Sequence, residues 1–318
     1  MSEFVSIEEA AEFLKQRDRF LLLTHCRPDG DTVGCAAGLC AALRRLGKTA
    51  YLLKNPELTW VNRPYAQPYE ASAGYAPETV VALDIASLSL LPENAQPYSQ
   101  RVDLVVDHHP SQTGYGRRCC LDSSAAACGE IVYEICRRLL PLDESIALPL
   151  YVAIATDCGG FIYANTTART HTIAAQLMRF DCDWGEVNRR HFRTKSKKRL
   201  LLEAALVDSM ELYDRDRIVV MQVPISLMER FAATEDDADE LSSLGALVAG
   251  CDCAVTMREL QPDRWKISLR TGKRVNASLA CGKLGGGGHA AAAGCTLQGS
   301  AQQVKEQVLA AVQSVAGE

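Results

Sequence analysis

The stretch FLLLTHCRPDGDTVGCAAGLCAALRRLGKTAYLL, residues 20–53, carries the strongest fold signal in the chain. Its first residues are apolar without alternation, the pattern of a short strand buried on both faces of a sheet. Pro28 and Gly30 then predict a tight turn, and TVGCAAGLCAALRRLG a helix ending at Gly47. KTAYLL restarts a strand, so the stretch reads as strand, crossover helix, strand.

Working outward, the pattern repeats. SIEEAAEFLKQ predicts an amphipathic first helix, capped by Ser6 with Glu9 completing a capping box. ETVVALDIA (78–86) and RVDLVVDHH (101–109) are further apolar strands. Helical spacing runs from Ser124 to Leu140 and from Asp143 to Thr156. The implied fold class is α/β, with a doubly wound, mainly parallel sheet domain. NRRHFRTKSKKRLLLEAALVDSMELY (188–213) reads as one long helix, basic in its first half. Beyond it, DRIVVMQVP, ALVAGCDCAVTMREL and RWKISLR predict the strands of a second, smaller α/β domain. The expected boundaries are 1–183 for the first domain, 184–214 for a helical linker and 215–318 for the second domain. The acidic TEDDADE (234–240) reads as a solvated loop or helix start.

Composition narrows the function. At 318 residues the chain is long enough for about two domains. A net charge of −5 excludes a globally basic nucleic-acid coat. MSEFVSIEEA carries acidic residues where a signal peptide would be apolar. No apolar run reaches the roughly 18 residues that span a bilayer. The expected location is cytoplasmic, with no membrane partner. Thirteen cysteines without a Cys-x-x-Cys pair are expected to be reduced, mostly buried thiols.

Potential ligands gather at the ends of the predicted elements. His25, Asp29 and Asp31 follow the first apolar run, Asp84 follows VVAL, Asp107, His108 and His109 follow DLVV, and Asp157 follows YVAIAT. In an open α/β sheet, binding sites lie beyond the carboxyl ends of the strands. Several carboxylates held together repel one another, and divalent cations supply the missing charge. Mixed Asp/His ligation suits manganese, zinc or iron, and the number of carboxylates points to two ions. Pro28 and Gly30 are expected to turn Asp29 and Asp31 inward. The plainer reading of that turn has Asp31 or Thr32 capping the helix and His25 packed in the core.

HCRPDGD, LDIA, VVDHHPS and ATDCGGF, in that order, resemble the four motifs of the DHH phosphoesterase superfamily. RTGKRVNASLACGKLGGGGHAAAAG resembles the family's DHH-associated domain. Within that superfamily the chain resembles the bifunctional oligoribonuclease and phosphoadenosine phosphatase enzymes. The resemblance implies one manganese on His25, Asp29 and Asp84, and a second on Asp31, Asp84, His108 and Asp157, with Asp84 bridging. It implies that Asp107 fixes the imidazole of His108 and that His109 faces the scissile phosphate.

Gly286, Gly287 and Gly288, within the run before His289, allow close backbone approach to an anion. Arg270 and His289 are expected to grip a terminal phosphate or base, with Lys273 and Asn276 within reach. The basic run Arg189, Arg190, Arg193, Lys195, Lys197, Lys198 and Arg199 reads as a solvated helix face rather than a backbone track. The expected function is a manganese-dependent phosphohydrolase. It would degrade short single-stranded RNA to mononucleotides and dephosphorylate adenosine 3′,5′-bisphosphate, with the cleft between its domains closing on substrate. The alternatives are a cyclic or linear dinucleotide phosphodiesterase and a non-catalytic nucleotide-binding protein. A homodimer is compatible with the resemblance.

Overall fold

Phe20–Leu23 forms a strand whose four residues are all buried, which explains its unbroken apolar run. The structure is a computed structural model that describes residues 2–238 and 241–316. The chain divides into two units between Thr194 and Lys195.

The first unit holds β1 (Glu3–Phe4), β2 (Phe20–Leu23), β3 (Ala50–Leu52), β4 (Thr79–Leu83), β5 (Leu104–Asp107) and β6 (Arg118–Leu121). They pair in the order β1-β6-β5-β4-β2-β3, every pair parallel. The chain runs outward from β2 to β3, then returns to place β4 on the other side of β2. The carboxyl ends of β2 and β4 therefore flank a topological switch point.

Alternate strand residues feed two cores. Phe20, Leu22, Val81, Leu83, Leu104 and Val106 face α1 (Ile7–Gln16), α2 (Gly30–Arg45), α4 (Cys128–Leu139) and α5 (Glu144–Asp157). Leu21, Leu23, Val80, Ala82 and Val105 face Leu91, Ala95 and Val102, in or beside short 3-10 turns. The expected capping box of α1 is present. Residues Gly30 to Leu43 of α2 are all buried. Small residues permit this: a Cβ on Gly34 would meet the Pro149 carbonyl of α5 at 2.3 Å. α3 (Arg63–Ala66), α6 (Ala168–Leu177) and α7 (Trp184–Phe192) complete the unit.

The single helix expected over 188–213 is two helices and a strand. α7 ends at Phe192, and α8 (Lys197–Ser209) starts afresh with the Ser196 hydroxyl accepting from the Arg199 amide at 2.9 Å. A serine cap competes with helix continuation. Leu202 and Leu206 of α8 pack with Val219 and Met221.

The second unit's strands are β7 (Glu211–Tyr213), β8 (Ile218–Val223), β9 (Cys253–Gln261), β10 (Arg264–Thr271), β11 (Gly287–Gly288) and β12 (Ala292–Gln298). Their order is β11-β12-β10-β9-β8-β7, and only β8 with β9 is parallel. α9 (Ile225–Arg230), α10 (Glu235–Ala238), α11 (Ala277–Lys283) and α12 (Ala301–Gln313) belong to this unit. The strand expected from Ala246 begins only at Cys253, because a 3-10 turn and Gly250, at φ +83°, interrupt it. In TEDDADE, Asp237 is tethered rather than solvated, accepting from Thr234 and Ser196. Asp239 and Glu240 lie outside the described residues.

All thirteen cysteines are free, and all but Cys26, Cys182 and Cys251 are buried. Among the described residues no helix is long and apolar enough to cross a membrane.

Candidate metal centre

Four element ends deliver the site. β2 leads into His25, whose Nδ1 lies 2.8 Å from the Cys26 carbonyl. A carbonyl only accepts, so Nδ1 holds the proton and Nε2 turns inward, 3.5 Å from Asp29 and 3.9 Å from Asp84. Asn55 donates to the His25 carbonyl at 2.9 Å and steadies the turn.

The turn separates the two aspartates that were expected to point inward together. Asp29 is the cap of α2, accepting from the amides of Asp31 and Thr32 at 3.0 and 3.1 Å. The capping role thus falls on Asp29, not on Asp31 or Thr32. Its side chain stays 56% exposed at the mouth of the site, whereas Asp31 is 0% exposed. Asp31 accepts from the amides of Cys128 and Gly129, at 2.7 and 2.9 Å, and from the Cys35 thiol at 3.2 Å. Those amides open α4, so a helix N-terminus faces the carboxylate and favours its charge. Thr32 donates to the Leu83 carbonyl at 2.7 Å, joining α2 to the end of β4.

Asp84 follows β4 at φ +59°, a left-handed conformation costing on the order of 1–3 kcal/mol for a residue with a side chain. Its side chain is 4% exposed, and its Oδ1 has no hydrogen-bond partner. His109 Nδ1 and His108 Nε2 stand 3.4 and 3.5 Å from that oxygen.

Beyond β5, Asp107 accepts from the amides of His108 and His109 and from His109 Nδ1, the last at 2.8 Å. Gln112 holds its other oxygen. Asp107 therefore orients His109, not His108 as expected. The reason is local: both amides after Asp107 fold back onto its carboxylate, which carries the His109 ring with them. His108 instead directs Nδ1 to the Ala125 carbonyl at 3.2 Å. Its Nε2 faces Asp84, Asp157 and Asp31 at 3.5, 3.7 and 4.0 Å. Asp157 is the last residue of α5.

Burial pushes the carboxyls of Asp31 and Asp84 well above the usual range, and neighbouring carboxylates push them further. Burial and the charge of Asp29 raise Asp157 to about 7. His108 is lowered by burial and by His109. His109 is raised, chiefly by its hydrogen bond to Asp107. For His25 burial works against the charged form, but Asp29 outweighs it and the imidazole is raised.

Three groups of ligand atoms lie within 4.8 Å of one another: His25, Asp29 and Asp84; Asp31, His108 and Asp157; and Asp84, His108 and His109. All six residues expected as ligands fall into these groups. A buried carboxylate oxygen lacking a partner, beside oxygen and imidazole donors, fits a divalent cation. Gln112, Asn55 and the amides of Cys128 and Gly129 escaped the sequence reading. Gln112 stands five residues after Asp107 and nothing in its type flags it.

In the second unit, Arg270 of β10 pairs with Ala292, Gly288 with Ala293 and Gly287 with Gly294, so the expected binding residues form one neighbourhood. Two of the glycines have a structural duty. A Cβ on Gly286 would meet the Gly294 carbonyl at 2.2 Å, and one on Gly288 the Ala292 carbonyl at 2.6 Å. Gly287 has open space, and His289 is exposed. The Asn276 side chain caps α11, accepting from Leu279 at 3.1 Å. In the basic run, Arg189 pairs with Glu186 in solvent, whereas Arg199 and Glu203 form a pair largely shielded from it, with Lys195 also on Glu203.

Two family models match the chain, the DHH family N-terminal domain over residues 19–154 and the DHHA1 domain over 219–318. A bifunctional oligoribonuclease and PAP phosphatase NrnA of Thermus thermophilus is 32% identical across 92% of this chain and 88% of its own length. The chain belongs to the DHH family. As a DHH phosphoesterase it is a hydrolase. Asp157 lies three residues beyond the matched DHH segment, and the other expected ligands lie inside it. The fold agrees. An exopolyphosphatase-related protein from Bacteroides fragilis superposes with a TM-score of 0.86 at 19% identity, covering 97% of this chain and 95% of that one. RecJ from Thermus thermophilus, crystallised in complex with Mn2+, gives 0.53 at 15% identity, covering 97% of this chain and 54% of that one.

Proposed function

We propose that this DHH hydrolase is manganese-dependent, degrades short oligoribonucleotides to mononucleotides and dephosphorylates adenosine 3′,5′-bisphosphate in the cytoplasm. One observation carries the reading: the partnerless, buried Oδ1 of Asp84 amid three imidazoles and further carboxylates. The NrnA relative, by its name and its span of both domains, supports the substrate classes.

In this reading His25, Asp29 and Asp84 would hold one manganese ion, and Asp31, His108 and Asp157, together with Asp84, would hold another. Bound ions supply Lewis acidity and neutralise charge on the phosphoryl oxygens. His109, whose Nδ1 donates to Asp107 at 2.8 Å, is assigned no metal in this reading. That bond favours the protonated ring, so His109 donates a proton to the leaving oxygen. Arg270, with a planar fork suited to phosphate, and His289 bind the substrate's terminal phosphate or base. Gly287 leaves a backbone surface open to the ligand.

A substrate panel tests the reading. The purified chain with added Mn2+ is given adenosine 3′,5′-bisphosphate, a linear diribonucleotide, a five-residue RNA and a cyclic dinucleotide, and products are resolved by chromatography. Mononucleotides from the RNAs and free phosphate from the bisphosphate are expected. Turnover confined to the cyclic compound, or no turnover, would overturn it.

A further inference from the structure

The loop Asp122–Ala127 contributes no ligand side chain, yet it positions ligands on two sides. Its Ala125 carbonyl accepts the His108 Nδ1 proton at 3.2 Å, which leaves Nε2 for the centre. It leads into Cys128 and Gly129 at the start of α4, whose amides hold Asp31. The loop reads DSSAAA, so it has little side-chain bulk of its own to hold it in place.

Its anchors come from a segment remote in sequence. Asn165 Nδ2 donates one proton to the Ala126 carbonyl at 2.9 Å and the other to the Asp157 carbonyl at 3.1 Å. Arg169 Nη1 reaches Asp122 at 2.8 Å, and its Nε lies 3.2 Å from Glu130. Glu130 is 1% exposed, and its second oxygen accepts from Thr170 at 2.6 Å. Asp122 in turn accepts from the amide and hydroxyl of Ser124, at 3.0 and 2.6 Å. The segment thus ties the loop, the start of α4 and the end of α5 together.

We propose that Asn165 and Arg169 are positioning residues that clamp this loop, and through it set the metal affinity of the centre. The inference rests on the reading that the cluster holds manganese. Outer partners that orient metal ligands are typically worth 10–100-fold in affinity. Asn165 is itself exposed, so its loss leaves the hydrophobic core untouched.

The test is Mn2+ titration calorimetry on the full chain and on Asn165→Ala, Arg169→Gln and Arg169→Lys, with metal-free thermal melting and hydrogen exchange of residues 122–129. Asn165→Ala and Arg169→Gln are expected to bind Mn2+ roughly 10–100-fold more weakly. Exchange across 122–129 should quicken, and the metal-free melt of Asn165→Ala should match the parent. Arg169→Lys should recover part of the affinity, since it keeps the charge and loses the fork. Parent-like affinity in Asn165→Ala overturns the clamp while the metal reading stands. A parent chain that binds no Mn2+ overturns the metal reading and the clamp with it. Weakened binding explained wholly by a collapsed metal-free fold in both Asn165→Ala and Arg169→Lys would also overturn it.

Discussion

Asp84 and Gly288 both sit in unusual backbone conformations beside a strand, at φ +59° and +145°, yet their surroundings differ in kind. Around Gly288 every demand is met: the missing side chain makes room for the Ala292 carbonyl and the β12 backbone. Around Asp84 a demand is left open, since a buried carboxylate oxygen has imidazole neighbours but no hydrogen-bond partner. A strained residue whose strain is absorbed by its own fold reads as architecture. One whose polar atom stays unmet reads as a ligand for something else.

The largest effect should come from Asp84→Asn, because asparagine tolerates the left-handed backbone and removes only the charge. Hydrolysis with saturating Mn2+ should fall by ~1000-fold or more, as the proposed shared ligand is lost. The metal-free protein should melt at a higher temperature, since Asp31 loses a repelling neighbour. A lower metal-free melting temperature would erase the contrast with Gly288.

Gly288→Ala should destabilise the second unit by about 2 kcal/mol or more, read by denaturant unfolding, because a Cβ meets backbone there. Gly287→Ala, in open space, should stay within about 1 kcal/mol of the parent. Equal losses would mean the glycine run is not divided between duties.

Acidity sharpens the same comparison. Asp31, Asp84 and Asp157 have raised carboxyl pKa values, the last to about 7, so the native metal-free chain holds protons that the unfolded chain releases near pH 4. The contribution of Asp157 is complete at low pH and is lost as pH climbs from about 4 to about 7, and those of Asp31 and Asp84 are likewise lost as pH rises. Asp157 contributes a slope of up to about 1.4 kcal/mol per pH unit within that window. Saturating Mn2+ should reverse the trend, with affinity rising through pH 7 as Asp157 gives up its proton. Melting curves across pH, with and without Mn2+, measure both.

Asp107→Asn carries the comparison to the proton donor. It removes the carboxylate that keeps His109 protonated, so the alkaline limb of the rate profile should move to lower pH, with a loss of roughly 10–100-fold in kcat. An unmoved limb would separate His109 from the proton transfer.

Much of this was legible beforehand. FLLL, TVVAL and DLVV announced buried parallel strands through unbroken apolar runs, and the residues after them mark the switch point. Less legible was the break after α7, where a single serine cap outweighs a helical-looking run. Asn165 and Gln112 gave no signal, because amide side chains are common in loops and only their partners distinguish them.

The sequence by itself determined which side chains stand at the ends of β2, β4 and β5, because burial of apolar runs is a short-range pattern. Only the tertiary structure decided the pairings: Asp31 with amides some hundred residues away, Asp107 with His109, Asp29 at the surface as a cap. Periodicity assigns a residue to a face, but a hydrogen bond needs two groups within about 3 Å, and that distance is set by packing between remote segments.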